Sequence, residues 1–202
     1  MEYWHDIMTE KSWKMLQKIK GEFNFILIGG WATYLYTRAM KSKDIDIIID
    51  FSTLSELKKK YDVRKNNILK KYEMKIESVD IDIYVKFYSK LIPAPEKIET
   101  EKIEGFTVPI EEHLLILKQA AEQERSESEK GEKDRIDIMS ILLKCDVDFK
   151  KYYKILEEEK KEGMRKNLIP LVRNFTEYKY VGLSPRELKL KKGKIIEQLR
   201  KK

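Results

Sequence analysis

The run Asp44-Ile45-Asp46-Ile47-Ile48-Ile49-Asp50 constrains this chain more than any other stretch. Successive β-branched residues favour a strand, and in a strand residues i and i+2 point the same way. Asp44 and Asp46 then present two carboxylates from one face, while Ile45, Ile47 and Ile49 turn to a core. Like charges side by side repel, which costs stability unless a cation neutralises them. The plain alternative for a short Asp-x-Asp is a solvated face of an edge strand. Context decides between the two.

Phe23 to Ile28 is a short β-rich run that stops at Gly29 and Gly30, and the segment Trp31 to Ala39 is long enough for a helix. Two glycines let the backbone turn sharply and come close to a ligand, and a helix that begins at once aims its first amides at phosphates. Ser42 and Lys43, in the polar break just before Asp44, join Gly29 and Gly30 as candidates for contact with a nucleotide. Neither a G-x-x-x-x-G-K-[ST] nor a G-x-G-x-x-G motif occurs. A third carboxylate comes from Met74 to Phe87, read as one strand in which Ile81, Ile83, Val85 and Phe87 alternate with Asp80, Asp82, Tyr84 and Lys86. Asp80 and Asp82 share a face and either completes a triad; Asp82, deeper in the strand, is slightly favoured. Such a triad suits two-metal chemistry, in which the third aspartate binds metal or takes a proton.

The metal type follows from what the chain lacks. A lone Cys145 excludes an internal disulfide and a cysteine-rich zinc site, and two histidines, His5 and His113, leave little for a zinc hydrolase. A hard cation on Asp44, Asp46 and Asp82 is expected, magnesium or manganese. The net charge of +7 favours polyanionic partners, modestly beside 42 basic and 35 acidic side chains. No apolar run approaches the ~20 residues needed to span a bilayer, and the N-terminus lacks the pattern of a secretory signal, so a cytoplasmic protein without membrane contact is expected.

The remaining pattern gives the expected order of elements. Residues 6–20 read as an amphipathic helix, and Ser52 as the N-cap of a helix through Leu54 to Asp62, followed by a further helix around Val63 to Tyr72. Phe106 to Ile110 supply a last strand, His113 to Arg125 a helix, Ser126 to Glu132 a polar loop, and Asp134 to Lys144 another helix. After Val147 everything is helical and Lys-rich, with a capping box at Ser184 to Glu187. The fold class is α+β: a small mixed sheet over residues 1–110 with an N-terminal helix, then a helical region over 111–202.

Two charged groups intrude on helical apolar faces. Lys118 falls on the packed face with Leu114, Ala121 and Arg125, where snorkelling to water is the commoner outcome and a specific anionic partner the other. Asp137 shares a face with Asp134, Ile138 and Ile141, and a structural pairing with Lys118 or Arg125 explains it at least as well as direct chemistry. The terminal lysines from Lys189 onward suit either RNA phosphates or solvent.

The sequence Ile28-Gly29-Gly30, a helix, Asp44-Ile45-Asp46 fourteen residues after Gly30, and a later strand aspartate resemble the DNA polymerase β-like nucleotidyltransferase superfamily. Leu115, Leu117, Lys118, Ala121, Arg125, Lys133, Asp134 and Asp137 extend the likeness over about residues 23–145, to the abortive-infection (AbiEii-type) toxin nucleotidyltransferases. The resemblance implies magnesium-dependent transfer of a nucleoside monophosphate from a nucleoside triphosphate to a hydroxyl on RNA, a protein or a small molecule such as an aminoglycoside. It further implies that Lys118, with Arg125 nearby, contacts nucleotide phosphate and that Asp137 organises the site. A toxin held by an antitoxin-like partner is one biology it allows; a nucleotide- or RNA-binding protein that keeps the fold without turnover is the alternative.

Overall fold

A computed structural model describes the backbone of residues 2–201 and the side chains of residues 6–201. Helix α1 (Glu2–Lys20) leads into strand β1 (Ile26–Ile28), helix α2 (Gly29–Thr37) and strand β2 (Ile45–Ile49). Next come α3 (Phe51–Lys60), β3 (Arg64–Asn66), β4 (Lys71–Ile76) and β5 (Val79–Val85), then the hairpin of β6 (Thr100–Ile103) and β7 (Phe106–Pro109). The chain closes with α4 (Glu111–Arg125), α5 (Glu129–Lys144), α6 (Phe149–Glu158), α7 (Gly163–Asn174) and α8 (Pro185–Arg200). The strands form one mixed sheet in the order β3-β4-β5-β2-β1-β7-β6, parallel at β2–β5 and β1–β7 and antiparallel elsewhere.

Strand β2 lies at the centre of this sheet and is covered on both faces. Ile45, Ile47 and Ile49 join Ile81, Ile83 and Val85 in the main core, with Leu16 and Ile19 of α1 and Leu54 and Leu57 of α3. On the other face Ile48 is fully buried with Ile28, Ile98 and Leu117 of α4. This second cover explains the unbroken isoleucines from Ile47 to Ile49, since a strand buried on both sides has no polar face to offer. The main core continues past residue 110 through Leu115, Ile138 and Leu168 to Leu199.

Several local expectations are corrected. The segment Val63 to Tyr72 is not helical: β3 pairs antiparallel with β4, Arg64 facing Glu73 and Lys65 facing Tyr72. The stretch from Met74 is a hairpin rather than one strand, turning at Glu77 and Ser78, both with positive φ. Strand β6 has no counterpart in the expected order, and β1 is shorter than the run from Phe23. Asp50, not Ser52, caps α3, its carboxylate accepting from the Thr53 amide at 2.8 Å. The expected loop at Ser126 to Glu132 is mostly the first turn of α5, capped by Ser128, whose Oγ accepts from the Gly131 amide. The Ser184 capping box forms as expected.

Candidate active site

The parallel register of β2 and β5 sets Asp46 opposite Asp82. Because the isoleucines on either side of each belong to the main core, the two carboxylates share the opposite face, with Leu117 and Lys118 of α4 on that side of the sheet. Asp44 is corrected from the expected strand position. Strand β2 begins only at Ile45, so Asp44 closes the polar break, 44% exposed, its Oδ2 3.6 Å from the Lys130 ammonium. Asp80, 61% exposed, pairs across the hairpin with Lys75 at 3.2 Å.

Gly29 and Gly30 bring the turn onto Asp46. Gly29 has φ +67°, and a β-carbon there would overlap the Asp46 carboxylate; one at Gly30 would lie 2.7 Å from Ser42 Oγ. Antiparallel pairing puts Ile28 opposite Asp46, so the glycines follow just beyond it. Helix α2 starts at Gly29 without a side-chain N-cap and without an acid in its first turn. Its first amides therefore keep hydrogen-bonding capacity toward this face. Gly29→Ala is expected to lose roughly 1–2 kcal/mol from the left-handed backbone alone, with the displaced Asp46 carboxylate adding to that. Urea unfolding measures the loss, and a change below about 0.5 kcal/mol would show that the turn relaxes around the methyl group.

The lysines around the carboxylates have distinct partners. Lys118 does not snorkel: 7% exposed, its ammonium lies 2.6 Å from Asp137 Oδ2 and 3.3 Å from Asp134 Oδ1. Apart from this ion pair with Lys118, the Asp137 carboxylate has no partner among the described residues. Burial disfavours the Lys118 charge, but Asp137 and Asp134 outweigh it and hold the amine above its ordinary pKa. Arg125 makes a 2.7 Å ion pair with Asp134. Ser42 is buried, Lys43 exposed.

Two residues escape the sequence reading as site members. Lys133 extends its ammonium to within 3.4 Å of Ser42 Oγ, beside the glycine turn, and burial depresses its pKa. The sequence does carry a signal for it: Lys133 precedes Asp134, at helical spacing from Asp137 and Lys130. Lys71 is buried against Asp82, 2.6 Å from Oδ2. No local pattern announces that contact, which spans a hairpin.

Asp46 is the group short of positive charge. Burial first, then the neighbouring Asp82 and Asp44 carboxylates, push its pKa up to about 6 against the opposing pull of Lys118 and Lys133. A half-buried carboxylate in that state fits an oxygen-seeking divalent cation. Among the described residues, however, no three His, Cys, Asp or Glu side chains converge as a preformed metal cage. Lys71 holds Asp82 and Lys130 stands near Asp44. No helix among the described residues is long and apolar enough to cross a membrane.

Residues 7–181 match the model of a family described as nucleotidyltransferase of unknown function (DUF6036). Among solved structures, a Helicobacter pylori protein described as a candidate nucleotidyltransferase is 16% identical, with 95% of this chain and 92% of that one covered and a TM-score of 0.51. An antigenic nucleotidyltransferase-like protein from Paracoccidioides brasiliensis is also 16% identical, over 82% of this chain and 92% of that one, with a TM-score of 0.42. No curated protein matches significantly.

Proposed function

From a chain that belongs to this nucleotidyltransferase family of unknown function, we infer an enzyme that transfers a nucleoside monophosphate from a nucleoside triphosphate to a hydroxyl acceptor. The observation that carries the reading is the in-register pair Asp46 and Asp82 facing the same side as an uncapped helix start at Gly29. Opposite charges are then offered to one ligand. The carboxylates would hold a magnesium ion that accompanies a triphosphate, and the backbone amides and Lys133 would bind its phosphates.

Each residue has a definite task. Asp46, with Asp44, would hold a magnesium or manganese ion, which when bound neutralises the phosphate charge and polarises the α-phosphorus. The amides of Gly29 and Gly30 and the Lys133 ammonium bind and orient the triphosphate. Asp82 lies beside Asp46 and accepts the proton of the acceptor hydroxyl as its oxygen bonds to the α-phosphorus and the bond to the pyrophosphate oxygen breaks. Lys118, locked between Asp134 and Asp137, positions α4 against α5 and adds its charge to the field at Asp46. This differs from the direct phosphate contact that the resemblance implies.

Thermal unfolding with each of the four nucleoside triphosphates, with and without magnesium or manganese, tests the reading. A triphosphate at a hundred times its Kd is expected to add about 2.7 kcal/mol of stability. The shift should require the metal and vanish in the Asp44→Ala, Asp46→Ala double variant. A triphosphate shift that survives in that variant would remove the carboxylates from the site.

A further inference from the structure

Lysine is rarely buried, because its flexible stem lets the ammonium reach water. Lys71 departs from this: it is 9% exposed, with its ammonium 2.6 Å from Asp82 Oδ2 and 3.2 Å from Glu73 Oε1. The backbone fixes the arrangement. Lys71 opens β4 directly after Lys70, whose φ is positive, and β4 pairs with β5 so that Glu73 stands opposite Asp82. Residues two apart in a strand share a face, so Lys71 and Glu73 flank Asp82 on the side where Asp46 also lies. Glu73 is 45% exposed and is further held by the Asn66 amide at 3.0 Å, which leaves Asp82 as the nearer partner of the ammonium.

We infer that Lys71 is the resident cation of Asp82: its ammonium takes the place of a second divalent ion, so the chain binds one such ion, on Asp46 with Asp44. The inference rests on the nucleotidyl-transfer reading above and adds how many metal ions that site takes. An ammonium at 2.6 Å occupies the approach to Asp82 Oδ2 and carries a full positive charge there, so a divalent ion on the same oxygen meets direct repulsion. Among the described residues Asp46 has no ion pair of this kind. The amines whose charge it senses are committed elsewhere, Lys118 to Asp137 at 2.6 Å and Lys133 beside Ser42 at 3.4 Å. The charges also close. The ammoniums of Lys71 and Lys130 and one divalent ion together balance the carboxylates of Asp44, Asp46, Asp82 and Glu73.

Manganese binding to the whole chain, followed by electron paramagnetic resonance without nucleotide, tests this independently of turnover. One Mn2+ is expected per chain, lost in Asp46→Asn and retained in Asp82→Asn, where it binds more weakly because a neighbouring negative charge is gone. Lys71→Met is expected either to admit a second ion or to tighten binding about tenfold, a gain that Lys71→Met with Asp82→Asn removes. Lys71→Arg should behave as the native chain. Two ions on the native chain, or complete loss of Mn2+ binding in Asp82→Asn alone, would overturn the assignment while leaving nucleotidyl transfer intact. Those two outcomes need no Lys71 variant, so they stand even if Lys71→Met fails to fold. No Mn2+ binding sensitive to Asp46 would instead overturn the nucleotidyl-transfer reading, and this inference with it.

Discussion

Lys118→Met is expected to destabilise the chain by about 3–5 kcal/mol, the cost of leaving buried carboxylates without their cation. Asp137 is fully buried and Asp134 2% exposed, and Asp137 has no partner besides Lys118 among the described residues. Arg125 still serves Asp134 from the rim at 2.7 Å, so the loss falls mainly on Asp137. Adding Asp137→Leu should recover much of the stability, because an apolar pair of similar volume has no charge to desolvate. The pH dependence gives a second check. An orphaned buried carboxylate has a raised pKa, so the deficit of Lys118→Met should shrink as the pH falls and Asp137 takes up a proton. Urea unfolding at pH 7.5 and pH 5 measures both. A deficit below about 1 kcal/mol at pH 7.5 would show that the cluster is solvated and that Lys118 is free for a ligand.

The parts of this fold legible in the sequence are those whose signal is local. The isoleucine run of β2, the glycine stop after Ile28 and the Ser184 box each carry their reason within a few residues, and each appears where expected. The hairpin from Arg64 to Ile76 does not. Strand β3, Arg-Lys-Asn, has no apolar residue to alternate and forms only by pairing with β4, while β4 does alternate Tyr72, Met74 and Ile76 into the core, a pattern that the preceding lysines and asparagines hide. Asp44 reads as a strand residue because the pattern of alternation continues through it, whereas the ladder starts one residue later. In the site, the carboxylates are visible as a spacing and Lys133 as part of a short motif. Lys71 is invisible because its meaning depends on register: Glu73 opposite Asp82 is a fact about paired strands, not about either strand alone. The buried pairing of Lys118 lies between these cases: two charges at helical spacing on packed faces point to a pairing of Asp137 with Lys118 or Arg125, and the fold selects Lys118 at 2.6 Å.

Asp46→Asn is expected to abolish nucleotidyl transfer while making the metal-free chain more stable at neutral pH. The sign follows from the raised pKa. An aspartate ordinarily titrates near 3.8, and in the fold Asp46 is pushed up to about 6, so the native state holds a proton that the unfolded chain releases. Its contribution is fully favourable below the unfolded value and is lost as the pH rises through about 6. Above that the ionised carboxylate is a burden of about 2–3 kcal/mol, since each pH unit between the two titrations corresponds to about 1.36 kcal/mol. Asparagine has nearly the same shape and no charge, so it escapes this burden. The variant should therefore exceed the native chain in metal-free unfolding experiments at pH 7.5, with the gap closing toward pH 4. Magnesium reverses the order, since only the native chain gains from binding it. A variant less stable than the native chain at every pH would mean that Asp46 is already neutralised by Lys118 and Lys133. The carboxylate would then be a structural group, and the chemistry would have to be sought elsewhere on this face.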